Sequence, residues 1–334
     1  MMAKATSSDA SSQTAEMLLE DQVDALRINA FLAKKINPKF NETEHQSEKD
    51  ENDRPIIKKR SGKITIPQPK IITQIVGPTE EECYSVRRES KKVCLIISNE
   101  KFHSSLQLNT RKGSEVDLKA ATNLFTSLGF EVRVHPNQTY KELMRALENL
   151  AMFENHEDCD AIAIVILSHG NEGTIYAYDK PFAANKVWEP FTAENSPTLA
   201  GKPKMFFIQA CQGSLMDEGV TVVESHTETD SSPFFASYKL PVHSDFLIAH
   251  STVSGYYSWR NTMNGSWFIQ AMASVFQDYA KQQRDLLSLL TIVAKRVSIE
   301  YESSSSRKDF NNKKQTPFFY STLRYKVFLH EEME

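Results

Sequence analysis

Two residues in this chain have the type and placement for nucleophilic chemistry at a carbonyl. Cys211 lies in Gln209-Ala210-Cys211-Gln212-Gly213, just after the apolar run Lys204–Ile208. His169 lies in Ser168-His169-Gly170, just after Ala161–Leu167. In thiol catalysis the thiolate attacks, a nearby imidazole manages the proton, and backbone N–H groups receive the developing oxyanion. Gly170 and Gly213 let backbone approach a reacting carbonyl with no Cβ in the way. Taken singly, each side chain also fits a packed interior, because a cysteine after a buried strand is commonly a small core residue. The pair gains weight from its delivery, 42 positions apart, by two strand ends. Functional groups in open α/β sheets collect in loops at the carboxyl ends of strands.

The elements that must hold these residues are readable from periodicity. Val93–Ile97 is a continuous apolar run and predicts a buried strand. Residues 114–128 predict a helix with Ser114 as cap and Ala121, Leu124, Phe125 and Leu128 on one face; Gly129 closes it. Phe130–Val134 predicts a short strand and Tyr140–Phe153 a second amphipathic helix. Ala161–Leu167 is apolar on both faces, as in the middle of a parallel sheet. Further strands are expected at Lys204–Ala210, Asp245–Ala249 and Leu323–Leu329, and helices at 265–280 and 285–299. Strands alternating with helices predict an α/β fold, a mostly parallel sheet with helices on both faces.

Composition excludes several classes. The 334 residues carry 39 Lys+Arg against 43 Asp+Glu, a formal net charge of −4. That balance argues against a polybasic nucleic-acid binder and against electrostatic attachment to membranes. No apolar run approaches the ~20 residues that span a bilayer, and the first thirty residues lack a secretory pattern. The four cysteines are scattered, with no CxxC pair, so neither a disulfide framework nor a zinc site is expected. The expectation is a reduced, cytoplasmic protein without metal or cofactor. No Gly-rich phosphate loop follows an early strand, which sets aside a nucleotide-binding α/β protein. Residues 1–80 hold only two aromatics, Phe31 and Phe40, and balanced charge, and predict a short mobile arm. Within it, Ala15–Ile36 has helical spacing of Leu19, Val23, Leu26 and Ala30.

The Gln209–Gly213 string resembles the signature of the caspases, cysteine endopeptidases that cleave after aspartate. The resemblance covers about residues 83–334. It extends to Ser168-His169-Gly170, Arg111 before Gly113, the run Gly255-Tyr256-Tyr257-Ser258-Trp259-Arg260-Asn261, and Gly265-Ser266-Trp267-Phe268. It implies a six-stranded, mostly parallel sheet with an antiparallel edge strand. It implies Cys211 as nucleophile, His169 as proton-transfer partner, and the N–H groups of Gly170 and Cys211 as the oxyanion hole. The backbone carbonyl of Asn109 would steady the imidazole. Arg111, Arg260 and Gln209 would receive the substrate aspartate. A buried carboxylate is costly unless it meets cations and donors, and the arginine fork supplies both. Without the flanking motifs, both arginines would pass for ordinary surface residues. Tyr257, Trp259 and Trp267 would line the pockets for upstream residues, and the backbone of Ser258 and Arg260 would pair with an extended substrate. The loop at 303–310 carries few aromatics, so looser upstream preference is expected.

The resemblance also implies activation by cleavage. The polar stretch Ser214–Ser232, within a linker at about 214–242, contains Thr227-Glu228-Thr229-Asp230 followed by Ser231-Ser232. Cutting after Asp230 would give a large catalytic subunit (81–230) and a small one (231–334), with 1–80 as prodomain. Asp53 in the arm is a second candidate, with Arg54-Pro55 a poor leaving side. Two units would pair about the last strand, with Tyr325–Phe328 as the edge. Expected partners are protein substrates, an upstream caspase, a second copy and inhibitor-of-apoptosis-type proteins, with no nucleic acid and no membrane. The arm shows no adaptor domain, which favours an executioner caspase of programmed cell death. Initiator-type or non-apoptotic caspases are the alternative. A catalytically dead homologue serving as a binding partner is disfavoured by intact His169, Cys211, Arg111 and Arg260.

Overall fold

The computed structural model describes residues 83–87, 89–219, 243–279, 282–305 and 308–329. The expected helix at Ala15–Ile36, Asp53 and Asp230 lie outside the described residues.

Six strands form the central sheet: β1 (Lys91–Ser98), β2 (Glu131–Pro136), β3 (Cys159–Leu167), β4 (Lys204–Gln209), β5 (Phe246–His250) and β6 (Phe318–Ser321). Their spatial order is β6-β5-β4-β3-β1-β2. All neighbours are parallel except β6, which runs antiparallel to β5 with Tyr320 opposite Ile248. The four principal helices are α1 (Ser114–Ser127), α2 (Tyr140–Glu148), α3 (Trp267–Asp278) and α4 (Leu286–Glu300).

Alternation along the strands separates two cores. Cys94, Ile96, Ala163, Val165 and Phe207 face α1, α3 and α4. Leu95, Ile97, Ile164, Ile166, Phe206 and Ile208 face the other side, where α2 buries Leu143 and Leu147. A strand covered on both faces needs apolar residues at every position, which is why β1, β3 and β4 read as unbroken runs. Each fully buried large aliphatic side chain contributes about 1.5–3 kcal/mol. The layers thereby fix the strand ends from which the loops leave.

Local chemistry sets the boundaries. Gly113 (φ +81°), not Ser114, occupies the cap of α1, and Ser114 is the first helical residue. Ser114 N–H instead donates to Arg111 O at 3.1 Å, so the helix begins as a continuation of a turn. At α2, Thr139 and Glu142 form a reciprocal capping box. The expected helix Tyr140–Phe153 changes winding at Asn149, and Asn149–Phe153 is a π turn. The Asp285 carboxylate caps α4, accepting from Leu287 N–H and Ser288 N–H.

The last strand is not where its alternation predicts. Val327 and Leu329 are buried as the pattern implies, but outside the strands of the sheet. Leu286 N–H donates to Val327 O and Tyr84 N–H to Lys326 O, so α4 and the segment at Cys83–Tyr84 satisfy that backbone. Phe318–Ser321, directly after Pro317, pairs with β5 instead. The sheet edge is therefore β6, and Tyr325–Phe328 is not an edge strand. Asp245, just before β5, is buried and accepts from Tyr84 OH and Arg324 Nε, each at 2.7 Å. Among the described residues, no helix is long and apolar enough to cross a membrane.

Candidate active site

β3 and β4 are adjacent and in register, with Leu167 opposite Gln209. Their carboxyl ends therefore deliver Ser168-His169 and Ala210-Cys211 to the same side of the sheet. One cleft at this edge is lined by His169, Cys211, Arg111, Gln209, Tyr257, Ser258, Trp259 and Arg260. Eight of the sequence-identified residues thus come together. Gly170 lies beside His169 in a short ladder with Thr174–Tyr176. Trp267 does not line the cleft. It stacks behind Trp259, ring centroids 5.8 Å apart and planes 21° apart, and is itself buried.

The imidazole is held from two sides. His169 Nε2 lies 3.1 Å from Asn109 O, and the Phe102 ring packs 4.8 Å from the imidazole centroid. A carbonyl oxygen only accepts, so Nε2 carries a proton and Nδ1 is the basic nitrogen. The Cys211 thiol rests against the backbone of Ser258, with Ser258 N–H 3.5 Å from Sγ. The other buried thiols differ in environment: burial pushes Cys94 well above the ordinary thiol range, and burial also raises Cys159. Cys211 instead sits half-buried in a cleft lined by two guanidinium groups.

The glycines also make room for the protein's own backbone. A Cβ on Gly170 would lie 2.6 Å from Cys211 O and 2.8 Å from Ala210 Cβ. At Gly213 (φ +149°) a Cβ would overlap the Gly255 carbonyl. Gly170 thus lets the His169 and Cys211 loops meet, and Gly213 lets the Cys211 loop approach the backbone at Gly255. Tyr176 N–H donates to His169 O at 3.0 Å. By antiparallel alternation, the Gly170–Ile175 pair is then of the non-hydrogen-bonded kind, and Gly170 N–H points away from that ladder.

The remaining wall comes from residues after the 220–242 segment. Gly255 N–H donates to Gln212 O, Gln212 N–H to Tyr256 O, and Tyr257 N–H to Leu215 O. These bonds knit the Cys211 loop to the aromatic wall. Arg111 is 1% exposed, an extreme burial for a guanidinium, and its Nη1 donates to Asn99 O at 3.3 Å. Gln209 Nε2 donates to Ser258 Oγ at 2.9 Å, while its buried Oε1 has no hydrogen-bond partner. Two cations and an amide converge here, and no carboxylate is among the lining residues. That set is complementary to an acidic side chain.

Gln315 and Phe102 escaped the sequence reading. Gln315 Oε1 accepts from Trp259 N–H at 2.6 Å, and its Nε2 donates to Ser251 O at 2.7 Å. With Trp259 O accepting from Trp267 N–H, both backbone groups of Trp259 are engaged inward. The alternation turns the Arg260 backbone away from the ladder it forms with Ser266. Nothing local in Lys313-Lys314-Gln315-Thr316 signals this role. Asn109 was reachable only through resemblance, because its contribution is main chain.

Between α4 and β6, Phe310 is buried, and its carbonyl accepts from Ser303 Oγ at 2.8 Å. Among the described residues, no cluster of His, Cys, Asp or Glu has the arrangement of a metal site.

Comparison with known proteins agrees with this geometry. The caspase-domain family model matches residues 91–328. Caspase drICE of Drosophila melanogaster is 43% identical over 249 residues, covering 74% of this chain and 72% of the relative. Caspase-7 of Gallus gallus is 38% identical over 277 residues, covering 81% and 87% respectively. The crystal structure of caspase-1 from Spodoptera frugiperda superimposes with a TM-score of 0.69 at 37% identity, covering 76% of this chain and 96% of that one. With a thiol and an imidazole at neighbouring strand ends and a matching family model over most of its length, the chain belongs to the caspase family of cysteine peptidases.

Proposed function

We propose that this protein is an aspartate-specific endopeptidase of the executioner type, made as a zymogen and activated by cleavage after Asp230. The observation that carries aspartate specificity is the convergence of Arg111, Arg260 and Gln209 on the cleft that holds Cys211. A substrate carboxylate seated there would complete two charge-assisted pairs in a poorly solvated site. Breaking one such pair costs about 3–5 kcal/mol.

The geometry supports the following reaction. Cys211 Sγ attacks the backbone carbonyl carbon of the aspartate itself, and the thiol proton passes to His169 Nδ1. The negative charge that develops on the carbonyl oxygen is received by the N–H groups of Gly170 and Cys211; one such donor contributes about 2.7–4 kcal/mol. As the C–N bond breaks, His169 returns the proton to the leaving amine. Water, deprotonated by His169, then cleaves the thioester and regenerates the thiol. Tyr257 and Trp259 form the wall for upstream residues, with Trp267 supporting Trp259 from behind, and the backbone of Ser258 and Arg260 pairs with the extended substrate.

The executioner role is supported by the likeness to caspase drICE and caspase-7. In this reading the upstream activator cuts at Asp230, Asp53 is a minor site, and the prodomain, large subunit and small subunit span 1–80, 81–230 and 231–334. A second copy pairs about edge strand β6, a reading supported by the exposure of Tyr320 there. The protein acts in the cytoplasm on protein substrates and is a target for inhibitor-of-apoptosis-type proteins. Cleavage profiling of the recombinant protein on a peptide library, with Cys211→Ala as blank, tests the reading. Cleavage confined to peptides with aspartate before the cut is expected. Cleavage indifferent to that residue, or unchanged in Cys211→Ala, would overturn it.

A further inference from the structure

The two pocket arginines reach the cleft from separate parts of the chain, and one buried carboxylate joins those parts. Arg111 immediately precedes the turn that starts α1, and Arg260 opens a short hairpin in which it lies opposite Ser266. Asp117 is in the first turn of α1 and is fully buried. Its Oδ1 accepts from Ser266 N–H at 2.7 Å and from Gln270 Nε2 at 3.0 Å, and its Oδ2 accepts from Ser266 Oγ. Ser266 stands at the N-cap of α3 yet makes no side-chain cap to its own helix, because its hydroxyl is given to Asp117. The carboxylate thus sits at the positive end of α3, supplying from α1 the negative charge that a helix start favours. Packing is close on both sides: a Cβ on Gly113 would overlap the backbone of Thr262, and one on Gly265 would lie 2.5 Å from Asp117 Oδ1.

We infer that Asp117 is a positioning residue for the specificity pocket, a clamp that sets the separation of Arg111 and Arg260 by tying α1 to the Arg260 hairpin. It touches neither substrate nor thiol. The two arginine-bearing elements lie on opposite sides of the 220–242 segment, so after cleavage within that segment the clamp joins the two resulting chains without a covalent link. A carboxylate accepts from Ser266 N–H, Ser266 Oγ–H and Gln270 Nε2–H together and places negative charge at the start of α3. An amide at 117 has a single acceptor oxygen, must turn its NH₂ group toward Ser266 Oγ and reverse that bond, and brings no charge to the helix start. This inference rests on the reading of Arg111 and Arg260 as the aspartate pocket.

The test compares processed wild type with Asp117→Asn, Ser266→Ala and Asp117→Glu. KM and kcat are measured on peptides that differ only in Asp or Asn before the cut. The rate at which iodoacetamide alkylates Cys211 is measured alongside, and folding is checked by thermal unfolding. Asp117→Asn is expected to raise KM for the aspartyl peptide at least tenfold and to shrink the Asp-over-Asn preference, with the alkylation rate within twofold of wild type. Ser266→Ala, which keeps the backbone bond, should show the same pattern at smaller amplitude and remains informative if Asp117→Asn does not fold. Asp117→Glu, which keeps acceptor character, should recover part of the preference. An unchanged Asp-over-Asn ratio in every variant that folds overturns the clamp, as does a loss of kcat alone at constant ratio. A wild type that shows no preference for aspartate would instead refute the pocket reading itself, which keeps the two failures distinct.

Discussion

Replacing Gln315 with alanine should loosen the substrate groove from behind. Gln315 is 1% exposed and makes two buried bonds, accepting from Trp259 N–H at 2.6 Å and donating to Ser251 O at 2.7 Å. Truncation leaves both backbone groups without partners. Each stranded buried group costs about 1–3 kcal/mol, giving about 2–6 kcal/mol in total, and water entering the vacated space should hold the loss to about 2–4 kcal/mol. For a domain of this size that corresponds to a fall in Tm of roughly 4–16 °C. Trp259 lies between Ser258 and Arg260, so kcat/KM on an aspartyl peptide should fall at least about tenfold, because small misplacements near a reacting group carry large rate penalties. Gln315→Glu separates the two bonds. It keeps the acceptor for Trp259 N–H and can donate to Ser251 O only when protonated, so its stability deficit should shrink on going from neutral to acidic pH. Differential scanning calorimetry and steady-state kinetics on the same preparations read both effects. A Gln315→Ala protein with wild-type Tm and wild-type kcat/KM would refute the assignment of Gln315 as the support of the groove.

Three further outcomes are expected. Arg260→Lys keeps the charge but loses the forked donors, and should lower kcat/KM on aspartyl peptides at least about a hundredfold, ~2.7 kcal/mol in the barrier; retention of more than a third of wild-type efficiency would contradict the pocket. Asp230→Ala should stay uncut and largely inactive when an upstream caspase is added, whereas processing and activity equal to wild type on gel and in the peptidase assay would remove Asp230 from activation. Burial lowers His250 from 6.5 to about 4, and its Nδ1 has no hydrogen-bond partner, so the folded state favours the neutral ring. Its contribution to stability is intact above the unfolded value and is lost as pH falls from 6.5 through 4. The loss amounts to about 3 kcal/mol, the shift converted at 1.36 kcal/mol per unit. His250→Phe, which keeps the stacking on Phe318 at 5.0 Å, should therefore lose less Tm than wild type between neutral pH and the acid end of that window; parallel Tm curves would contradict this.

The strands that carry the site were legible because burial on both faces leaves an unbroken apolar run, as in Val93–Ile97 and Ala161–Leu167. The ends of Ala161–Leu167 and of the Lys204–Gln209 strand beside it bring His169 and Cys211 to one cleft. Where backbone satisfaction rather than side-chain burial decides, the sequence misleads. Tyr325–Leu329 alternates like a strand, yet its carbonyls go to Leu286 and Tyr84, and the sheet edge falls to Phe318–Ser321. Asn149–Phe153 carries helical periodicity through a change of winding that periodicity does not register. Supports such as Gln315 and Asp117 are single polar residues whose partners lie 56 and 149 positions away, so no local pattern reveals them. Arg111 has the composition of a surface residue, and its burial follows only from the loops that close over it.

The central claim is that Cys211 attacks the backbone carbonyl of an aspartate whose side-chain carboxylate is held by Arg111 and Arg260. Covalent trapping tests it most directly. The processed protein is incubated with two peptidyl chloromethyl ketones that differ only in aspartate or asparagine at the reactive residue. Intact-mass and peptide mass spectrometry then locate and time the label. One equivalent of label on Cys211 is expected, with the aspartyl reagent reacting at least about a hundredfold faster, and with that advantage lost in Arg260→Lys. Labelling at another residue, or equal rates for the two reagents on Cys211, would contradict it.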